Sequence, residues 1–223
     1  FGVNSYHVDD TYEDTGLRQL ITSQNRLYVL TADSLTRRDQ NYSRMYAAGG
    51  LDDPRALCAD DADQIIFVWQ QGSRRVSWYG AQELLPLGEA ELPAVQSVVS
   101  MVTCAAGVEQ VPGSATYLYF ADPDSGVVHR YAFDEFQGLL PHGILTRDDG
   151  SGARSVHLPA GMARDYEDSL LVCDADSLRN WVVRFNSVPD TLDLVTAGGP
   201  DPLRGQAVLF DVATCVPPAA ADY

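Results

Sequence analysis

Short apolar runs separated by polar turns recur along this chain at a regular interval. Four of these runs can be aligned with one another, and they begin at Asn25, Gln64, Tyr117 and Ser169. The last three copies continue after the turn into a second run that ends on an aromatic residue, at Tyr79, Tyr131 and Phe185, 52 and then 54 residues apart. Repeats of about 40 to 50 residues that carry several short strands are typical of a β-propeller, a ring of four-stranded antiparallel sheets called blades.

The repeat predicts an all-β chain that forms a single propeller domain over residues 1–223. We expect four clear units and a partial fifth, at approximately 17–50, 54–92, 97–148, 156–198 and 206–223. Residues 1–8 could add a closing strand to the last unit and so remove an open sheet edge. Two interpretations are open, a fragment of a longer propeller and a small ring that is closed or nearly closed, and we favour the ring.

Each unit is expected to contain four strands, with the first lining the central channel and the last at the rim. Inner strands are predicted at 17–22, 56–59, 98–104 and 161–164, and outer strands at 44–48, 84–87, 143–146 and 192–196. The middle strands are nearly continuous apolar runs, which is what a strand buried on both faces requires. Pro54–Asp60 aligns without gaps on Pro159–Asp165, which supports the repeat independently.

The repeat pattern resembles that of the NHL family of propellers. The best copies are Tyr117–Tyr131 and Leu170–Phe185, and the resemblance covers residues 17–215. It implies the propeller fold and leaves the function open, although such propellers usually have six blades. Enzymes of this kind, such as the amidating lyase, place metal-binding histidines on the inner strands around the channel.

The four histidines of this chain do not match that arrangement. They are His7 near the start, His129 on a third strand, His142 in an expected loop after Pro141, and His157 just ahead of the fourth inner strand. Only His157 is expected to be able to face the channel. Because a zinc site normally needs three or four protein ligands, we predict no histidine metal centre.

The formal net charge is −16, with 31 acidic residues against 15 basic ones. Such a surface repels phosphate backbones and anionic lipid head groups, which argues against nucleic-acid and membrane-surface partners. No apolar run is long enough for a transmembrane helix. The sequence begins at Phe1 rather than Met, which we interpret as the removal of a secretory signal, with a trimmed chain as the alternative. Export to the periplasm or the cell exterior is therefore expected.

The four cysteines, Cys58, Cys104, Cys173 and Cys215, form no C-x-x-C pair, so the common zinc and redox spacings are absent. The first three lie in apolar, strand-like contexts where a thiol packs as a small hydrophobe. An even number in an exported chain also permits disulfides. Both interpretations stay open, because sequence alone does not determine the pairing.

Carboxylates are the best candidates for a binding site. In three of the four units the turn between the second and third strands carries aspartates, namely Asp33, Asp122, Asp124, Asp174 and Asp176. They predict an acidic face that binds a basic partner segment, or calcium as the one possible ion. The alternative is turn chemistry, because aspartate side chains readily accept hydrogen bonds from nearby backbone amides.

No catalytic motif accompanies these carboxylates. The sequence has no G-x-S-x-G, no phosphate-binding glycine loop and no dinucleotide fingerprint. The leading hypothesis is therefore a non-catalytic, exported propeller that binds a protein or peptide and forms part of a larger envelope assembly, with no cofactor. The alternative is a calcium-assisted enzyme of the lactonase or lyase type, with carboxylates around the channel.

Overall fold

The structure is a computed structural model, and it describes residues 16–39, 41–62, 64–104, 116–145, 156–164, 170–176, 179–185 and 192–194. The described residues form sixteen β-strands and no helix. No helix that could cross a membrane occurs within them. The strands form four separate antiparallel sheets, each made of four strands in simple sequence order, so every neighbouring pair is a hairpin.

The strands follow one another in blades 1 to 4. Blade 1 contains β1 Gln19–Ser23, β2 Arg26–Leu30, β3 Ser34–Arg38 and β4 Arg44–Gly49. Blade 2 contains β5 Pro54–Asp60, β6 Ile65–Gln70, β7 Arg75–Gly80 and β8 Pro86–Glu91. Blade 3 contains β9 Ser100–Cys104, β10 Thr116–Asp122, β11 Val127–Asp134 and β12 Gly138–Ile144. Blade 4 contains β13 Pro159–Arg164, β14 Leu170–Asp176, β15 Arg179–Phe185 and β16 Leu192–Leu194.

The hydrophobic cores lie between the blades. Every residue of β6 and of β10 is buried, because each of these middle strands is covered on both faces by neighbouring sheets. One core lies between blades 1 and 2, a second between blades 2 and 3, and a third between blades 3 and 4. In the second core, the ring of Phe133 meets Phe67 and Trp78 edge-on, with centroids 5.0 and 5.5 Å apart.

The first strands of successive blades lie side by side around a common axis. The side-chain oxygen of Gln19 accepts a hydrogen bond from the Leu57 amide at 2.7 Å and so joins β1 to β5. The Thr103 hydroxyl donates to the Ala59 carbonyl, which joins β9 to β5. Ser100 joins β9 to β13 by accepting from the Met162 amide at 3.1 Å. This radial arrangement of four-stranded blades confirms the predicted β-propeller fold.

Two outer strands differ from their predicted positions. The outer strand of blade 3 was expected at 143–146, but β12 runs from Gly138 to Ile144, so His142 lies in a strand and not in a loop. The outer strand of blade 2 was expected at 84–87 and is β8, Pro86–Glu91.

The partial fifth unit at 206–223 and the closing strand at 1–8 lie outside the described residues. The single-domain organisation therefore stays a prediction.

Candidate functional site

A series of hydrogen bonds joins the turns and linkers at one end of the blades. The Leu51 amide donates to the Asp33 carbonyl at 3.0 Å, and the Gln71 amide donates to the Asp53 carbonyl at 3.0 Å. The side-chain amide of Gln71 then donates to the Gln96 carbonyl at 2.7 Å. We call this end of the propeller the upper face. It consists of the turns after β2, β6 and β10 and the linkers that enter β5 and β9.

In blade 3, a buried carboxylate fixes the linker that enters the blade. Asp122 ends β10 and is completely buried. Its carboxylate accepts hydrogen bonds from the amides of Gln96 at 2.7 Å and Ser97 at 3.3 Å, both ahead of β9. It also accepts one from the Ser125 amide in the following turn, at 3.2 Å. A buried carboxylate is stable only when its oxygens are paired in this way.

The corresponding positions in blades 2 and 4 also bind the linker that enters their blade. Gln70 ends β6, and its side-chain oxygen accepts from the Asp52 amide at 2.7 Å. Asp174 lies in β14 and is 1% exposed. It accepts from the amides of Leu158 at 2.8 Å and His157 at 3.2 Å. In three blades, therefore, the second strand carries a side-chain oxygen that holds the entry to the first strand.

The partner of this acceptor on the third strand changes from blade to blade. In blade 2 the Gln70 side-chain amide donates to the Ser77 hydroxyl at 2.6 Å. In blade 3 the equivalent position is His129, whose Nε2 lies 3.3 Å from Oδ2 of Asp122. In blade 4 the corresponding register position is held by Val183, whose side chain lies outside the described part of the structure. The acceptor of blades 2 and 3 is thus kept while its neighbour changes from a hydroxyl to an imidazole.

The environment of Asp122 favours its charged form. Burial alone raises the pKa of a carboxyl group, but hydrogen bonds from His129, Gln96 and Ser125 outweigh it and hold the pKa of Asp122 well below its usual range. The Ser125 hydroxyl lies 3.4 Å from the same nitrogen, Nε2 of His129, that faces Asp122. A serine–histidine–aspartate relay needs the two opposite ring nitrogens, so this cluster is not a nucleophilic triad.

The five predicted binding aspartates fall into two groups. Asp122 and Asp174 are buried and hold the backbone, as the turn-chemistry alternative describes. Asp33 and Asp124 are exposed on the upper face. Asp176 ends β14, and its side chain lies outside the described part of the structure. The binding role of these residues stays a prediction. Of the four whose side chains the structure describes, only Asp33 and Asp124 are exposed enough to meet a partner.

Two carboxylates at the opposite end join blade 2 to its neighbours. The Thr116 hydroxyl of blade 3 donates to Asp60, which is buried at the end of β5. The Ser23 hydroxyl of blade 1 donates to Asp61. The Ala62 amide also donates to Asp60, at 2.9 Å. These acidic residues therefore stabilise contacts between the blades.

A cavity of about 430 Å³ lies on the axis of the propeller. All four inner strands or the residues next to them line it. Among the described residues, the charged side chains that line it are Arg18, Arg55, Arg164 and Asp61. Guanidinium groups therefore enter this cavity in a chain whose net charge is −16.

A backbone irregularity directs Arg55 into this channel. The register between β5 and β6 shifts between Pro54 and Ala56, which leaves Arg55 as the extra residue of a bulge. The register of β13 shifts in the same way between Pro159 and Gly161, and the extra residue there, Ala160, also lines the channel. Bulges re-aim a side chain, and here the same bulge in two blades presents arginine in one and alanine in the other.

Arg18 and Arg55 share a single carboxylate at the upper mouth of the channel. The Arg55 guanidinium lies 2.9 Å from Oδ2 of Asp53, and the Arg18 guanidinium lies 3.5 Å from Oδ1. All three side chains are between a third and a half exposed. Ion pairs with this much solvent contact contribute only about 0 to 1 kcal/mol each. Each guanidinium carries five N–H donors, and the partial exposure of both leaves them accessible to a ligand from solvent.

The cysteines and histidines form no obvious chemical centre within the described residues. Cys58 lines the channel but is buried. Its burial, and to a smaller extent the negative charge of nearby Asp60, raises the pKa of its thiol. Cys104 and Cys173 are also buried, and Cys215 lies outside the described part. His157 is exposed at the linker into β13. No group of three or more potential metal ligands occurs among the residues described, and the calcium prediction stays untested.

Comparison with known proteins identifies the fold and no family. No family model matches the sequence, and no curated protein matches it. Solved structures do match. The WD40 domain of Pan2 from Neurospora crassa superposes with a TM-score of 0.51 at 12% identity, over 76% of this chain and 48% of that chain. A chain of the nidogen/laminin complex gives a TM-score of 0.57 at 16% identity, over 90% of this chain and 68% of that chain.

A third match is a Bacteroides uniformis protein provisionally described as a 6-phosphogluconolactonase. Its TM-score is 0.55 at 14% identity, over 84% of this chain and 59% of that chain. This chain thus spans between 48% and 68% of the lengths of the three structures. At these identities the similarity establishes the β-propeller fold, which hosts both binding modules and enzymes.

Proposed function

We propose that this protein is a non-catalytic binding module of the NHL type, which docks a protein or peptide segment on its upper face. Propellers present the turns and linkers of several blades on one surface, so a single segment can contact all of them at once. The observation that carries the proposal is the set of exposed carboxylates on this face. Asp33 belongs to blade 1, Asp52 to the linker into blade 2, and Asp124 to blade 3.

The scaffold beneath these carboxylates is rigidly connected. The hydrogen bonds from Leu51 to Asp33 and from Gln71 to Asp53 and Gln96 fix the turns relative to the linkers. Buried Asp122 fixes the start of the turn that presents Asp124. Rigid presentation lowers the ordering cost of binding, because fewer groups lose freedom when the partner docks.

Charge complementarity indicates the kind of partner. Exposed carboxylates from successive blades favour a segment that carries lysine or arginine, and they act mainly on the association rate and on specificity. The overall charge of −16 adds a long-range attraction for a basic partner at low ionic strength. We expect the partner to be a basic segment of another protein in the same assembly.

The double variant Asp33→Asn, Asp124→Asn tests this proposal. We expect its affinity for a partner isolated from the native source to fall about three- to tenfold, with a shallower salt dependence, because rim charges each contribute about 0.2 to 1 kcal/mol. The affinity should be measured by surface plasmon resonance over a range of salt concentrations. Asp122 and Asp174 are kept, because their carboxylates hold the fold.

A matched control removes the same number of charges from the opposite end. Glu83 lies in the turn after β7 and Glu135 in the turn after β11, and both are exposed. The double variant Glu83→Gln, Glu135→Gln should retain wild-type affinity. Equal losses in the two double variants would show a non-specific charge effect and would contradict docking on the upper face.

Export to the periplasm or the cell exterior is part of the same proposal. We expect the native protein in the extracytoplasmic fraction of its source. Cell fractionation followed by immunoblotting measures this property. A purely cytoplasmic protein would contradict the export part of the proposal and leave the binding part standing.

A further inference from the structure

We infer that the upper mouth of the axial channel binds a carboxylate, supplied by an acidic side chain or the C-terminus of the docked segment. The inference rests on the proposed function, in which a protein segment lies on the upper face. The lining of the channel motivates it, since Arg18 and Arg55 enter the same cavity from adjacent inner strands. The proposed partner would then carry basic groups over the perimeter and an acidic group over the axis.

The arginines at the mouth are close enough to act together. Both contact Asp53, one through each carboxylate oxygen, at 3.5 and 2.9 Å. Within the described part of the chain, the ion pairs at the mouth set two guanidinium groups against one carboxylate, which is an excess positive charge of one. Arginine donors suit a planar carboxylate, and charge-assisted hydrogen bonds of this kind are about twice as strong as neutral ones.

The negative charge of the rest of the protein does not cancel this local excess. At physiological ionic strength, charges more than about 8 Å apart in solvent are largely screened from each other. A ligand inside the channel therefore interacts mainly with the residues that line it. The lining includes Asp61, whose carboxylate accepts the Ser23 hydroxyl at the opposite end of the inner strands.

Asp53 itself acts as the internal occupant of this site. It lies in the linker into β5 with a φ of 48°, a left-handed conformation that non-glycine residues adopt at some cost. Its carbonyl fixes Gln71, while its carboxylate faces Arg18 and Arg55. A ligand carboxylate would share or take over these arginine contacts. Asparagine tolerates the same backbone conformation, so Asp53→Asn removes the charge without forcing the linker to change.

The test is a calorimetric titration of the full chain with an acetylated, amidated triglutamate peptide at physiological ionic strength, where the rest of the protein's charge is screened. We expect triglutamate to bind and the neutral triglutamine peptide not to bind. The variant Arg18→Gln, Arg55→Gln should weaken triglutamate binding about tenfold or more, since hydrogen bonds to charged groups are lost. Asp53→Asn should tighten it about threefold, because two exposed ion pairs no longer compete with the ligand.

Arg74 provides the matched control. It is exposed on the same face, in the turn after β6, but does not line the channel, and Arg74→Asn should leave the affinity unchanged. Asparagine is used because Arg74 has a φ of 51°. Thermal unfolding of every variant checks that the fold is retained.

Three results would overturn the inference. They are a failure of triglutamate to bind, an equal loss of affinity in Arg74→Asn, and a failure of Asp53→Asn to tighten binding. Inorganic phosphate is titrated as a second ligand under the same conditions. If phosphate binds more tightly than triglutamate with the same dependence on Arg18 and Arg55, the site is a phosphate site and the carboxylate assignment is wrong. The titration needs no natural partner, so its failure leaves the docking of basic segments on the outer carboxylates untouched.

Discussion

Replacement of Asp122 by alanine should lower the free energy of unfolding by about 3 to 5 kcal/mol, because it leaves the buried His129 and three backbone amides without their shared acceptor. The carboxylate is completely buried and accepts hydrogen bonds from Gln96, Ser97 and Ser125. Urea denaturation followed by tryptophan fluorescence measures this loss. The exposed neighbour Asp124 is the control, and Asp124→Ala should change stability by less than about 0.5 kcal/mol.

Asp122 also gives the free energy of unfolding a defined pH dependence. Because hydrogen bonds hold the pKa of Asp122 below its usual range, the folded state binds its proton more weakly than the unfolded state does. The stability contributed by the charged form is therefore present above about pH 4, the ordinary range of an aspartate, and is lost as the pH falls below it. The stability difference between the wild type and Asp122→Asn should shrink below that pH. A difference that stays constant down to strongly acidic pH would contradict this account.

Replacement of Gly88 by alanine should destabilise the protein by about 1 to 3 kcal/mol through overpacking. A Cβ atom at this position would lie 2.4 Å from Cζ2 and 2.7 Å from Cε2 of Trp78. The indole is 7% exposed and packs edge-on against Phe133, so a shift away from the new Cβ would disturb the core between blades 2 and 3. Thermal unfolding should show a decrease in Tm of about 2 to 10 °C.

Two further variants separate a clash from a general effect of removing glycine. Gly80 lies on the adjacent strand β7 with no atom within 4 Å of the corresponding Cβ position, so Gly80→Ala should be neutral or slightly stabilising. Trp78→Phe shortens the ring, and Gly88→Ala should cost less in that background than in the wild type. Strictly additive losses would show that the contact with Trp78 is not the cause.

The sequence predicts the middle strands well because both of their faces are buried. β6 and β10 are nearly continuous apolar runs, and each begins within a residue of the aligned runs that start at Gln64 and Tyr117. The positions of the outer strands were harder to predict, since these strands lie at the rim and alternate little between apolar and polar residues. In β12, Pro141 argued for a loop, but a proline fits a rim strand whose outer edge faces solvent.

The candidate site was predictable only in part. Aspartates at the turns were visible in the sequence, but their burial depends on linkers that lie 16 to 26 residues earlier in the chain. The contact between Asp122 and His129 could have been inferred from the hairpin register, which puts both on one face of the sheet. The position of Arg55 in the channel also had a signal in the sequence. The gapless alignment pairs Arg55 with Ala160, and both residues lie at the same bulge and line the channel.

The inner strands of blades 2 to 4 are each anchored by their own blade, which has a consequence for how the propeller assembles. The bonds made by Gln70, Asp122 and Asp174 close loops of 16 to 26 residues, so they can form while a repeat is still isolated. The bonds between inner strands close loops of 38 to 62 residues and need two finished repeats. Contacts between residues close in sequence form sooner than contacts between distant ones. This favours a folding order in which individual blades fold first and then pack against one another.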